Sequence, residues 1–380
     1  MSHVMLRGLT LSIVIPTPGN TGALEETLLS VLENRPEGCE VVVALDCEYD
    51  DPWNLAEEVR FVRAPAGAGL VGCVTAGVQA TTGDVIHLLA AGWKATPGWT
   101  DAALARFDDA TTGAVIPLGV DGATPDRVVS AGLKFKRGGR RVALTRPGMG
   151  TTAAVGSGAD RRVGARRPRW PVVGPRLEAG FWRADLVRAG EAGFNTACGD
   201  RLADVDMAVE LAARGVSTVV EEGSRVVAGG EPARERGFRS GLHGERLFWR
   251  SLAGRSFLPS FLLHVIEVIR HTIVSAPLGT VPMLLGRFVG ACQLVSHARR
   301  RRQLTEYLAT DVATDVATDV ATDVATDVAT DVATEAATET AADAAPADTD
   351  STTIRIDEGQ EVLSGPRRRP RDVEPLRKSA

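Results

Sequence analysis

Three pieces of the chain decide its fold: Leu11-Ser12-Ile13-Val14-Ile15-Pro16-Thr17, then Leu24-Glu25-Glu26-Thr27-Leu28-Leu29-Ser30-Val31-Leu32, then Glu40-Val41-Val42-Val43-Ala44-Leu45-Asp46. The first is β-rich and closes at a turn, Pro16 to Asn20. In the second, Leu24, Leu28, Val31 and Leu32 recur at helical spacing. The third is apolar throughout from Val41 to Leu45, as a parallel strand covered on both faces must be. Strand, helix and strand of these lengths make one βαβ unit.

The alternation continues outward. Val59 to Val62 is a short third strand, Leu70 to Ala80 a Gly/Ala-rich helix, Val85 to Leu89 a fourth strand, Thr100 to Phe107 a helix and Ala114 to Leu118 a fifth strand. The reading is an α/β fold with a mostly parallel sheet flanked by helices. Ligands of open α/β sheets bind beyond the carboxyl ends of the strands, which puts Thr17, Asp46 and Ala90 to Gly92 along one crevice. After Gly119 the pattern loosens. Strand-like pieces at Val128 to Phe135 and Arg141 to Leu144 lead into a Gly- and Arg-rich stretch, Gly156 to Trp170. Helical spacing returns over Leu202 to Ala213, and a strand follows at Val216 to Val220.

Residues 257–297 are strongly apolar, and from Thr272 to Ser296 the sole formal charge is Arg287. The length would span a bilayer, but Pro277, Pro282 and Arg287 oppose a simple crossing. A helix pair lying in the membrane interface and a helix pair packed on the preceding domain both fit. Farther on, Thr-Asp-Val-Ala repeats six times from Thr310 to Ala333. As a helix this would stack like charges at i,i+4, so a disordered tail over 309–380 is expected. The domain division is then 1–250, 251–308 and 309–380.

The 380 residues carry a formal charge of −5, but residues 309–350 hold eleven acids and no base, which leaves the rest at +6. A mildly basic body suits phosphate-bearing ligands. Five scattered cysteines, with no CxxC pair, argue against a zinc site or a disulfide framework. No secretory signal is recognisable, and a cytoplasmic protein, peripheral to the inner membrane face, is expected. No P-loop or dinucleotide fingerprint occurs, and no nucleic-acid partner is expected.

The order of these motifs resembles the family 2 glycosyltransferases, which have the GT-A fold. The resemblance rests on Ser12 to Thr17, Leu24 to Leu32 and Glu40 to Asp46, then on Gly77, Gly83-Asp84, Pro97 and Trp99, and on Gly180-Phe181-Trp182-Arg183, Gly193-Phe194 and Ala203 to Leu211. It implies a nucleoside-diphosphate sugar as donor, contacted by Thr17 and Asp46, and a glycan or lipid-linked acceptor. Asp204 aligns with the family's catalytic base, which takes a proton from the acceptor hydroxyl. The alternative for Asp204 is a first-turn acid on a helix dipole, with Asp200 as a cap; for Asp46 and Thr17 it is a turn role. Asp206 reads as a structural partner.

The family's metal-binding acids fall on Ala90, Ala91 and Gly92, whose side chains offer a divalent cation no oxygen. No metal site is carried over. The arginines Arg161, Arg162, Arg166 and Arg167, with Arg169, are candidates for neutralising the diphosphate instead, against the alternative of a solvated loop. His87 and His243 read as structural. Two function classes stand: a transferase working without the usual metal, and a non-catalytic relative that binds a nucleotide sugar or scaffolds a glycan-assembly complex.

Overall fold

The computed structural model describes residues 8–146, 171–188, 194–230 and 235–308. Its first elements are β1 (Leu11–Thr17), α1 (Thr21–Asn34), β2 (Glu40–Leu45), β3 (Arg60–Arg63), α2 (Gly69–Ala80), β4 (Val85–Leu89), β5 (Lys94–Ala95) and α3 (Asp101–Ala105). Then come β6 (Thr112–Val120), β7 (Val128–Ser130), β8 (Leu133–Phe135), β9 (Arg141–Ala143), β10 (Val172–Gly174), β11 (Ala179–Arg183) and α4 (Ala184–Arg188). The last are α5 (Ala203–Ala213), β12 (Ser217–Val227), α6 (Gly237–Arg250), α7 (Phe257–Ser275), α8 (Thr280–Cys292) and α9 (residues 298–308).

The main sheet runs β3-β2-β1-β4-β11-β6-β12-β5, with β7 beside β6. Its first four strands are parallel, as the uninterrupted apolar runs require. Thr17 pairs with Leu45 across β1 and β2, and Val14 with Leu88 across β1 and β4, so the carboxyl ends of these strands lie side by side. This is the α/β, GT-A-like arrangement expected from the sequence, with apolar helices after it. The sheet is mixed rather than uniformly parallel, because β11 enters antiparallel between β4 and β6. Its Phe181 faces His87 on one side and Val115 on the other.

α1 starts where Asn20 accepts the Ala23 N–H at 3.1 Å, a side-chain N-cap. It buries Leu24, Leu28 and Val31, three of the four positions singled out by spacing. The stretch Val128 to Phe135, read as one strand-like piece, is two strands in different sheets. Gly132 breaks it with φ +86°, a left-handed turn that glycine adopts without strain. The second sheet, β10-β8-β9, lies under α5. There Leu133, Phe135 and Val172 share a core with Val205 and Val209 of α5, Leu247 of α6 and Leu304 of α9. α6 and α9 are therefore packed into this second core.

Candidate functional site

The N-terminus of α2 opens at the carboxyl edge of β1 and β2, and two carboxylates hold it. Asp46, directly after β2, accepts the Gly69 N–H at 3.1 Å, and Asp200 accepts the Val71 N–H at 2.9 Å. Helix N-termini leave their first N–H groups unsatisfied, so anionic side chains belong there. Gly69 stands at φ +67°, and a Cβ on it would lie 2.5 Å from Asp200 Oδ2. Sequence reasoning gave Asp200 to the start of α5; it reaches α2 instead, while Leu202 begins α5 with no side-chain cap. The thiol of Cys73 lies against the backbone of Thr17 and Asp46, and burial, with the charges of Asp46 and Asp200, pushes it up to about 12. Thr17, Asp46 and Asp200 thus gather around one helix end. Thr17 itself is fully buried, its hydroxyl 3.5 Å from the Ile15 carbonyl.

One strand away, the backbone of Ala90 to Trp93 turns across the end of β4. Ala91 N–H donates to Pro16 O at 3.2 Å, and Gly92 N–H donates to Thr27 Oγ1 at 2.8 Å. Ala90 N–H donates to Glu178 O at 2.8 Å, which ties this turn to the start of β11. Here sequence reasoning missed a pair. Arg176 and Glu178 are both buried, with Arg176 Nε 3.2 Å from Glu178 Oε2, and the guanidinium lies 5.7 Å from the Trp93 ring centroid. A buried guanidinium beside an indole face gains cation–π attraction on top of its ion pair. Among the described residues, no group of three or more His, Cys, Asp or Glu could hold a metal ion.

Asp204 sits in the first turn of α5, 1 % exposed, and Arg141 of β9 clamps it at 2.7 and 3.3 Å. Burial pushes its carboxyl above the ordinary carboxylate range, opposed by Arg141, with the charge of nearby Glu178 adding to the rise. A carboxylate so placed is more basic than one in water, which is what a general base needs. Arg141 had no local signal: it lies 63 residues away in sequence and meets Asp204 only through the second sheet.

The other acids of α5 are structural. Asp206 accepts from Arg250 at 2.7 and 3.2 Å, with Arg300 at 3.6 Å. Burial alone would raise it, but the two guanidiniums outweigh burial and hold it below the usual range. Glu210, fully buried, pairs with Arg214 and with Arg300 at 2.5 Å. Of the run Arg299 to Arg302, Arg300 is thus an internal ion-pair partner, as Asp206 is on its side.

The two histidines are held structurally. His87 is fully buried, stacked on Phe181 at 3.8 Å, its Nδ1 3.1 Å from Gly180 O; burial holds it down to about 3. His243 pairs with Glu235 at 2.8 Å. The arginines Arg161, Arg162, Arg166, Arg167 and Arg169 lie outside the described residues, as does the tail, 309–380.

Comparison with known proteins adds the following. No curated protein matches the chain in sequence. Staphylococcus aureus TarS 1–349 in complex with UDP-GlcNAc aligns at 12% identity over 80% of this chain and 89% of that one, TM-score 0.49. The structure of GalNAc-T7 with UDP, GalNAc and Mn2+ aligns at 15% identity over 82% of this chain, TM-score 0.47; the chain spans 57% of that protein. The mannosyltransferase PcManGT from Pyrobaculum calidifontis, in complex with GDP-Man and Mn2+, aligns at 14% identity over 81% and 87% of the two chains, TM-score 0.39. Residues 12–151, which carry β1 to β9 and the α2 helix end, match the family model described as Glycosyl transferase family 2, and in that segment the chain is similar to this family.

Proposed function

We propose that this protein binds a nucleoside-diphosphate sugar at the carboxyl edge of β1, β2 and β4 and transfers the sugar to a glycan or lipid-linked acceptor. The observation that carries the reading is the gathering of Thr17, Asp46 and the α2 N-terminus beside the Ala90 to Gly92 turn, within the segment similar to family 2. Asp46 accepts one described hydrogen bond at Oδ2, and a carboxylate offers about four acceptor positions, which leaves capacity for a base N–H or a ribose hydroxyl. In this reading residues 1–250 are the transferase-like part, 251–308 an apolar helical part and 309–380 a separate tail.

Asp204 would serve as base. The acceptor oxygen attacks the anomeric carbon, its proton passes to the Asp204 carboxylate, and the nucleoside diphosphate departs with the bonding pair. Ala90, Ala91 and Gly92 supply no side-chain oxygen for a cation at this turn, so cationic side chains are left to balance the diphosphate. Arg161, Arg162, Arg166 and Arg167 remain candidates, and the position of Arg176 beside Trp93 adds a further one.

A second reading is favoured by one observation: Arg141 occupies both oxygens of Asp204. A clamped, buried carboxylate suits a relative that binds the nucleotide sugar without transferring it. The test is calorimetric titration of the full chain with UDP, GDP and dTDP, with and without manganese, followed by donor-hydrolysis assays. The variant is Asp46→Asn, which keeps an oxygen for the Gly69 N–H. Metal-independent binding that Asp46→Asn weakens at least tenfold supports the donor site. Hydrolysis lost in Asp204→Asn supports transfer, and binding with no hydrolysis in the wild type supports the second reading. A folded protein that binds none of the three nucleotides overturns both.

A further inference from the structure

Helices α7 and α8 are inside out for a protein in water. α7 turns Ser260 and His264 inward, with His271 half-buried on the same side, and exposes Leu258, Leu262, Ile266, Ile269 and Ile273. α8 buries Arg287 between Gly286 and Gly290, and exposes Val281, Leu284, Leu285 and Phe288. Of the nineteen large apolar side chains that stand exposed among the described residues, sixteen fall between Phe257 and Val295. Scattered apolar residues are ordinary on a protein surface, but one contiguous face of this size marks an interaction surface.

The inward polar residues fix how this face is presented. Glu245 of α6 accepts from Trp249 Nε1 at 2.7 Å, from Arg287 at 2.9 Å and from His264 Nε2 at 3.0 Å. His264 Nδ1 lies 3.1 Å from Gly138 O, so both of its ring nitrogens face acceptors. Two turns farther along, His271 Nε2 meets Ser240 Oγ at 3.1 Å, and Arg287 donates to His271 Nδ1 at 2.9 Å. α7 is therefore tied along α6 at both 264 and 271 and lies flat on the body. α8 is held still closer: a Cβ on Gly286 would stand 2.0 Å from Phe238 O, and one on Gly241 2.0 Å from Met283 O. By length and composition α7 could cross a membrane, yet these ties hold it lengthwise against the protein.

Two arginines stand at the edge of the face. Arg301 and Arg302, with Glu306, line a cleft of about 690 Å³ that Phe257, the first residue of α7, also borders, while Arg255 beside them turns inward to the Arg137 carbonyl and the Phe135 ring. Apolar side chains out, polar partners in and arginines at the edge is the pattern of an amphipathic element lying in a lipid interface, where basic side chains meet anionic headgroups. A protein partner would not require His264, His271 and Arg287 to turn away from the contact; hydrocarbon does, and the one charged side chain of α7 left partly open, Arg270 at 40 % exposed, is paired with Glu267.

We propose that the α7–α8 face rests in the headgroup–acyl boundary of an anionic bilayer, with Arg301 and Arg302 at the lipid phosphates. This binding does not rest on donor chemistry and holds whether or not transfer occurs.

The experiment is flotation of the full chain with phosphatidylcholine vesicles, and with vesicles containing about one third phosphatidylglycerol, at low and high salt. Wild type should float with the anionic vesicles, and bind them at least tenfold more weakly at high salt. Ile266→Glu/Ile269→Glu alters only exposed positions and should lose flotation tenfold or more with its thermal transition unchanged. Arg301→Glu/Arg302→Glu should lose the preference for anionic over neutral vesicles. Failure of wild type to float with either vesicle overturns the proposal. So does a wild-type dimer in solution that Ile266→Glu/Ile269→Glu converts to monomer without changing flotation, since the face would then serve a second copy.

Discussion

Replacing Arg141 with methionine tests how the interior handles Asp204. The variant keeps the length and apolar stem of the side chain and removes the cation that lies 2.7 Å from the carboxylate. Asp204 is 1 % exposed, so water cannot replace the guanidinium. Removing one partner of a buried pair costs about 3–5 kcal/mol, because the remaining charge is left uncompensated. The carboxyl escapes part of this cost by taking up a proton, and that response has a sign. Burial already places the folded group above its unfolded value of about 3.9. The folded state then holds a proton that the unfolded state has released, so stability falls as pH rises between the two values. Without Arg141 the folded value climbs further. The gap between variant and wild type should therefore widen by up to about 1.4 kcal/mol per pH unit, across the window in which Asp204 is ionised only in the wild type. Denaturant unfolding at pH steps upward from about 4, the unfolded value, reads this directly. Adding Asp204→Asn to Arg141→Met should abolish the extra slope and recover part of the loss. A variant within 1 kcal/mol of wild type at every pH, or an equal loss at every pH, would refute the reasoning.

Two further outcomes follow from the interior. Gly286→Ala puts a methyl 2.0 Å from a backbone carbonyl of α6, which no side-chain rotation can relieve; a loss of about 1–3 kcal/mol is expected by thermal unfolding, whereas Gly244→Ala, 3.7 Å from a side chain, should be near neutral. His87, held down to about 3, stays neutral in the folded state while the unfolded state protonates below about 6.5. Stability should then fall by about 2 kcal/mol between pH 7 and pH 5 on its account, and His87→Phe should flatten that part of the pH profile in denaturant titrations.

The parallel half of the sheet could be read from local pattern. Val41 to Leu45 and Val85 to Leu89 are apolar at every position, or nearly so, and both emerge as buried central strands. The site was legible only where a residue directly follows a strand, as Asp46 follows β2. What escaped was every pairing made across sequence distance. Asp200 gave no sign that it would reach α2, 129 residues away from its partner Val71. Arg176 and Glu178 carry no local signal, and their burial beside Trp93 depends on β11 inserting antiparallel, which periodicity cannot announce. The apolar stretch after residue 257 fits, by pattern, a helix pair in the membrane interface or one packed on the preceding domain. Its direction was hidden, because the positions that turn inward, Ser260, His264 and Arg287, are the polar ones.

The acids of α5 have a consequence for how this chain is made. Glu210 is fully buried against Arg300, which lies 90 residues downstream. At the ordinary pace of translation, about 5–20 residues per second, Arg300 is polymerised roughly 5–18 s after Glu210. During that interval α5 has Arg141 and Arg214 but not Arg300, so it cannot settle onto the second sheet with all of its native charge partners, although the parallel strands ahead of it are already complete. The nascent chain therefore carries an unfinished acidic helix until α9 arrives. Synonymous codon changes that slow elongation between residues 211 and 300 should lengthen that exposure and raise the share of product captured by chaperones, with no change in the amino-acid sequence.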